Sequence, residues 1–182
     1  MDLDRQLISS IDPSLNYVKV FCVSTTRVYQ VMEKSLFYIL KVAQGMDEWQ
    51  IEHSDKEKRN LIILKDIPGI SHLIKSYNSE YIVENWYFRN PILKEFIEGN
   101  TANKIRDNSL QTRLKQTICE IHKRGIAGLN LENSGNIIIS PNQKEATIID
   151  LGTGRMKEEI GSIKFKWYKY RDLKNLEKYI FQ

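Results

Sequence analysis

From Ile121 to Arg155 the chain reads IHKRGIAGLNLENSGNIIISPNQKEATIIDLGTGR, and this run narrows the possible folds more than any other. It reads as a helix end, a loop and then a β-hairpin. Two β-forming triplets, Ile137-Ile138-Ile139 and Thr147-Ile148-Ile149, flank the turn-forming Ser140-Pro141-Asn142. Asn136 opens the hairpin and Asp150 closes it, just before Leu151-Gly152. Two oxygen-bearing side chains at the ends of paired strands suit a hard cation held beside a phosphate.

Upstream, Asp12-Pro13-Ser14 is a turn signal. Three β-rich runs follow, 17–23, 27–32 and 37–42, with short polar joints at Ser24-Thr25-Thr26 and Glu33-Lys34-Ser35. This predicts an antiparallel meander. A charged segment from Asp47 to Arg59 runs into Leu61, Ile62, Leu64 and Ile67 at helical spacing, stopped by Pro68-Gly69. Two further strands are expected, 81–88 and 92–97, joined by Arg89-Asn90-Pro91. Asp107-Asn108-Ser109 can cap a helix with Leu110, Leu114, Ile118 and Ile121 on one face. A last helix is expected over 171–181. The 182 residues, 41% hydrophobic and 27% charged, suffice for one domain of two small lobes and exclude a disordered chain. No apolar run approaches the ~20 residues that cross a bilayer. The acidic start lacks the basic n-region of a secretory signal, and Cys22 and Cys119 form no disulfide framework or metal motif. A reducing cytoplasm and no membrane are the expectation.

In order and spacing, residues 17 to 155 resemble the protein-kinase-like superfamily. Tyr38-Ile39-Leu40-Lys41-Val42 is similar to the strand that ends in the phosphate-neutralising lysine, and Glu57 to the helix glutamate that pairs with it. Asn60, one turn on, competes for that second position, and Lys41 also reads as a strand lysine facing solvent. Ile92 to Gly99 resembles the passage between lobes, where backbone groups of Glu95 and Ile97 would read the adenine edge. The resemblance implies an α+β fold: an N-lobe over 1–98, with a five-stranded antiparallel sheet and one helix, and a reduced helical C-lobe over 99–182. It implies ATP and Mg²⁺ as cofactors, with Asn136 and Asp150 as metal ligands. A compact size and a short route from Asp150 to the final helix resemble the KEOPS-complex, RIO and lipopolysaccharide kinases.

The departures concern catalysis. Gly125-Ile126-Ala127-Gly128-Leu129-Asn130-Leu131 is similar to the segment that carries the catalytic His and Asp, yet Gly128 and Asn130 stand at those places. Asn130 precedes Asn136 by six residues, one more than the family spacing, and Glu132 is the one acid in the loop. The phosphate-covering turn has Ser24, Thr25, Thr26 and Arg27 but no glycine; its hydroxyls and amides, with Thr25 and Thr26 foremost, would have to touch phosphate, and Arg27 could add charge. Two functions follow. One is a slow ATP-dependent phosphotransferase of Ser/Thr type acting on an unidentified protein, in which Lys41 and Glu57 serve the phosphates and Asn130 positions the acceptor hydroxyl without taking its proton. The other is a pseudokinase that scaffolds a partner protein. In Lys164 to Arg171 basic and aromatic residues interleave, which could bind nucleic acid. The preferred expectation is that its rings, Trp167 and Tyr170 among them, cover a core and leave the lysines in water.

Overall fold

β-branched and aromatic residues dominate the chain after Asn16, and the expected meander forms there: β1 (Asn16–Val23), β2 (Thr26–Glu33) and β3 (Leu36–Gln44). The computed structural model describes residues 2–45, 48–102 and 104–181; Asp47, the expected start of the charged helix, lies outside them. Two compact units divide the chain. One comprises Met1–Lys58 and His72–Phe96, the other Arg59–Ser71 and Ile97–Gln182.

In the first unit, α1 (Leu3–Ile11) precedes the meander and α2 (Glu48–Ile63) follows it, its first residues belonging to this unit. Then come β4 (Leu73–Ser76), β5 (Glu80–Val83) and β6 (Trp86–Glu95). Among the described residues the antiparallel sheet has six strands rather than five, ordered β1-β2-β3-β6-β4 with β5 beside β6. The chain reverses between β5 and β6 at Glu84-Asn85, where Glu84 takes φ 56° and Val83 faces Trp86. Arg89-Asn90-Pro91 is therefore not the turn. Asn90, at φ 47°, sits inside β6 beside a register shift opposite Lys41 and Ala43. Proline has no N–H to give a ladder, so the irregularity is where it fits. Leu7, Ile8 and Ile11 of α1 pack with Tyr29, Val31, Leu40, Val42, Phe88 and Leu93 into one core.

The second unit contains β7 (Asn100–Thr101), α3 (Asn108–Lys123) and β8 (Ile126–Ala127). After them come a 3₁₀ turn (Ser134–Asn136), β9 (Ile137–Ile139), β10 (Ala146–Ile148), β11 (Arg155–Met156) and α4 (Lys157–Asn175). The expected cap is present: Asp107 Oδ1 accepts from the Leu110 N–H at 2.6 Å. Leu110, Leu114, Ile118 and Ile121 are all buried. The predicted hairpin pairs Ile137 with Ile148 and Ile139 with Ala146, and β7 adds to its edge. The last helix starts at Lys157 rather than Arg171, broken once by Gly161 at φ 76°, and ends in a π turn, Leu176–Ile180.

Candidate functional site

In the first unit the site is built on the pleat of the sheet. Lys94 of β6 faces Ile39 of β3, and Lys41 lies two residues beyond Ile39. Residues two apart share a face of a strand, so Lys41 and Lys94 are diagonal neighbours on one surface. Glu57 of α2 reaches this surface fully buried, at 0% exposure. Its Oε2 is 2.5 Å from Lys41 Nζ and its Oε1 2.5 Å from Lys94 Nζ. A charged carboxylate is tolerated out of water only when paired and hydrogen-bonded, and here each oxygen meets an ammonium. Lys41 is buried, not facing solvent. Glu57, not Asn60, is its partner. Lys94 was given no role from sequence; a lysine between Leu93 and Glu95 at the end of an apolar strand was the available signal.

Asn60 has a different task, in the second unit. Its Nδ2 donates to the carbonyls of Leu151 at 2.8 Å and Gly154 at 3.0 Å. Those bonds fix the chain just after Asp150. The Asp150 Oδ1 accepts from the Gly152 N–H at 3.0 Å. Across the hairpin, the Ile149 N–H donates to the Asn136 carbonyl at 2.9 Å, so Asn136 and Asp150 stand at the same end. Buried Asn136 also braces the loop before it: its Nδ2 donates to the Asn130 carbonyl at 3.0 Å, while its Oδ1 accepts from Asn133 Nδ2 at 3.2 Å. In the 3₁₀ turn that leads into the hairpin, Asn133 Oδ1 accepts from the Gly135 N–H. Asn130 is half-buried and Glu132 exposed.

The glycine at the expected histidine position has a steric reason. Gly128 has φ 84°, and a Cβ there would lie 3.1 Å from the Tyr168 ring. Its N–H donates to Asp172 Oδ2 at 2.8 Å, and the same oxygen meets His122 Nε2 at 3.0 Å. Burial pushes the Asp172 carboxyl above its ordinary range, against His122, the Gly128 N–H and Arg171, which favour its charge. Neither His122 nor Asp172 was singled out from sequence. Asp172 is the one acid between Glu159 and Glu177, and that isolation was the legible hint.

Ser24 and Thr25 form a tight two-residue turn between β1 and β2, and Thr26 already belongs to β2. The Ser24 N–H donates to the Thr26 carbonyl, and Ser24 Oγ accepts from the Thr26 N–H. Arg27 is turned away into the sheet, donating to Asp4 Oδ1 and Gln44 Oε1, each at 2.6 Å. It adds no charge to that turn. Glu95 ends β6, with its N–H on the His72 carbonyl at 2.9 Å, and Ile97 follows outside any strand. The rings of Trp167 and Tyr170 do not cover a core: they are 55% and 64% exposed, while Phe165 and Asp172 occupy the buried side of α4.

An antiparallel sheet with a buried Lys–Glu pair, followed by a helix, a braced loop and an Asn/Asp hairpin, defines a protein-kinase-like α+β fold. The solved structure of the Cydia pomonella Granulovirus kinase, PK-1, has that fold at a TM-score of 0.64, covering 97% of this chain and 73% of the viral one at 14% identity. No protein-family profile matches the chain. In sequence it is 28% identical over 160 residues to small ribosomal subunit protein uS3 of Thermosipho africanus (strain TCF52B), across 72% of this chain and 77% of that protein. The two comparisons point to differently described proteins. The structural one spans nearly the whole chain, and it carries the fold.

Proposed function

We propose that this chain is a minimal kinase-type phosphotransferase that uses ATP and Mg²⁺ and transfers slowly to a Ser/Thr-type hydroxyl of a protein. The observation that carries this reading is the buried Lys41–Glu57 pair at 2.5 Å. A lysine held by a glutamate out of water is a fixed cation, as phosphoryl transfer needs for charge on the phosphates. Asn136 and Asp150 offer oxygen donors suited to a hard cation; Asn133 occupies one lone pair of the Asn136 amide oxygen, and such an oxygen has two. Mg²⁺ there would supply neutralisation of charge on the β- and γ-phosphate oxygens. Asn130, its carbonyl held by Asn136, would orient the acceptor hydroxyl, and no residue at its position takes the proton. Loss of such a base is worth about 10²- to 10⁴-fold in rate, which slows a reaction that depends mainly on positioning without abolishing it.

A second reading, a pseudokinase that presents a binding surface to a partner protein, is favoured by the Ser24-Thr25 turn. The Ser24 and Thr26 amides are spent on the turn itself, so fewer are left to approach a phosphate. A thermal-shift titration separates the readings, because a ligand of the folded state raises the melting temperature by mass action. Under the enzyme reading Mg²⁺ with ATP raises it, Lys41→Ala weakens the shift, and Asp150→Ala removes its dependence on magnesium. No shift at millimolar ATP would leave the scaffold reading.

A further inference from the structure

The outward side of α4 carries exposed aromatic and basic residues together. Along it, Ile163, Trp167, Tyr170 and Lys174 recur at helical spacing, and all four are exposed. Lys164, Lys166, Lys169 and Arg171 flank them. Between Glu159 and Glu177 the single acid, Asp172, is buried against His122 on the opposite side. Within that stretch of the helix, therefore, no exposed acid offsets the lysines. Trp167 is also held in place: it packs edge-on with Tyr168 at 5.0 Å between centroids, and the Arg171 guanidinium lies 5.0 Å over Trp167 and 4.7 Å over Tyr168, while Lys174 Nζ lies 5.8 Å over Tyr170.

We propose that this face of α4 binds single-stranded nucleic acid, with bases stacking on Trp167 and Tyr170 and the flanking lysines meeting phosphates. Stacking platforms set among cations are how single strands are held without regard to sequence. From Ile163 to Lys174 the ridge is about 17 Å long, room for roughly five nucleotides at a stacked spacing of ~3.4 Å. Charge and shape argue against the other occupants. A second copy would set lysines against lysines across a shared axis. A membrane-surface helix needs a broad apolar face, whereas the far side of α4 is already buried through Phe165 and Asp172.

The experiment is fluorescence anisotropy of the full chain with a labelled 12-nucleotide oligouridylate and its DNA counterpart. Poly-glutamate and vesicles containing anionic lipid serve as alternative partners. Binding should weaken with salt, the log–log slope lying near −2 to −3.5 for three to five phosphate contacts at about 0.7 each. Trp167→Ala should lower affinity roughly 5- to 150-fold and Trp167→Phe should restore most of it. The pair Lys166→Gln and Lys174→Gln should reduce the slope by about 1.4. All these side chains are exposed, so melting curves of the variants should match the parent, and either variant alone can decide. Absence of salt-dependent binding at 50 mM salt overturns the proposal. So does unchanged affinity in Trp167→Ala, an unchanged salt slope in the lysine pair, or tighter binding to poly-glutamate or vesicles than to the oligonucleotides.

Discussion

Glu57 is the residue on which the first unit's chemistry rests. Its two oxygens hold two lysines, and removing it leaves both cations in a buried setting without that carboxylate. Breaking a buried ion pair from one side costs about 3–5 kcal/mol. Glu57→Gln should destabilise the fold by that order in urea melts, whereas Lys94→Met, which keeps one lysine on one carboxylate, should cost clearly less. Equal costs would mean that Lys94 does more than share Glu57. Asp172 gives a residue-level test in pH. Its carboxyl is raised above the ordinary value of 3.8 by burial, against His122, the Gly128 N–H and Arg171. For a group raised in the folded state, the stabilising contribution is full below 3.8 and is lost as pH rises through the folded value. Asp172→Asn cannot titrate. Thermal melts from pH 3.5 upward should therefore show the parent losing stability relative to this variant as pH rises, and a constant difference between the two would contradict the raised carboxyl.

Among the elements, α1 shows what a pattern reading passes over. Nine residues are too few for a helix to persist by itself, and in sequence the acidic start is read only as lacking the marks of a secretory signal. The helix is held by Leu7 and Ile8, which are fully buried against Tyr29, Leu40 and Phe88. Leu7→Ala should cost about 2–5 kcal/mol by calorimetry, the range for emptying a packed site. A cost below ~1 kcal/mol would show α1 to be dispensable. The meander, α2, α3 and the hairpin were legible because their periodicities and caps are local. The misreadings have local causes too. Asn90-Pro91 is a turn signal that the structure uses as a strand irregularity, because Asn90 Nδ2 donates to Asp55 at 2.9 Å and its carbonyl accepts from Ser54 Oγ at 3.1 Å. Phe165 to Tyr170 has the composition of a strand, and Gly161 interrupts the helix just before it, so the start of α4 was hidden.

For the molecule as a whole, the resemblance stated from sequence reached the fold, and it named Lys41, Glu57, Asn136 and Asp150 by motif. The roles of Lys94, Asn60, His122 and Asp172 were not assigned from sequence, because each depends on a partner distant in the chain that only the fold brings near. What separates catalyst from scaffold is the loop at Asn130. An amide there can hydrogen-bond a hydroxyl but cannot accept its proton near neutral pH, whereas a carboxylate does both. Asn130→Asp alone inherits the six-residue spacing to Asn136, and a displacement of ~1 Å can itself cost on the order of 10²-fold. Deleting Gly135 shortens the 3₁₀ turn, removing the bond from its N–H to Asn133 Oδ1. The combined variant restores the five-residue interval at the cost of that one turn. If the chain is an enzyme lacking only its base, ATP hydrolysis or phosphotransfer should rise by about 10²- to 10⁴-fold in the combined variant, and Asp150→Ala added to it should abolish the gain. A variant that folds and still shifts its melting temperature with Mg²⁺ and ATP, yet transfers no phosphate, would make the missing base irrelevant. The buried lysine–glutamate pair would then serve the architecture of a pseudokinase.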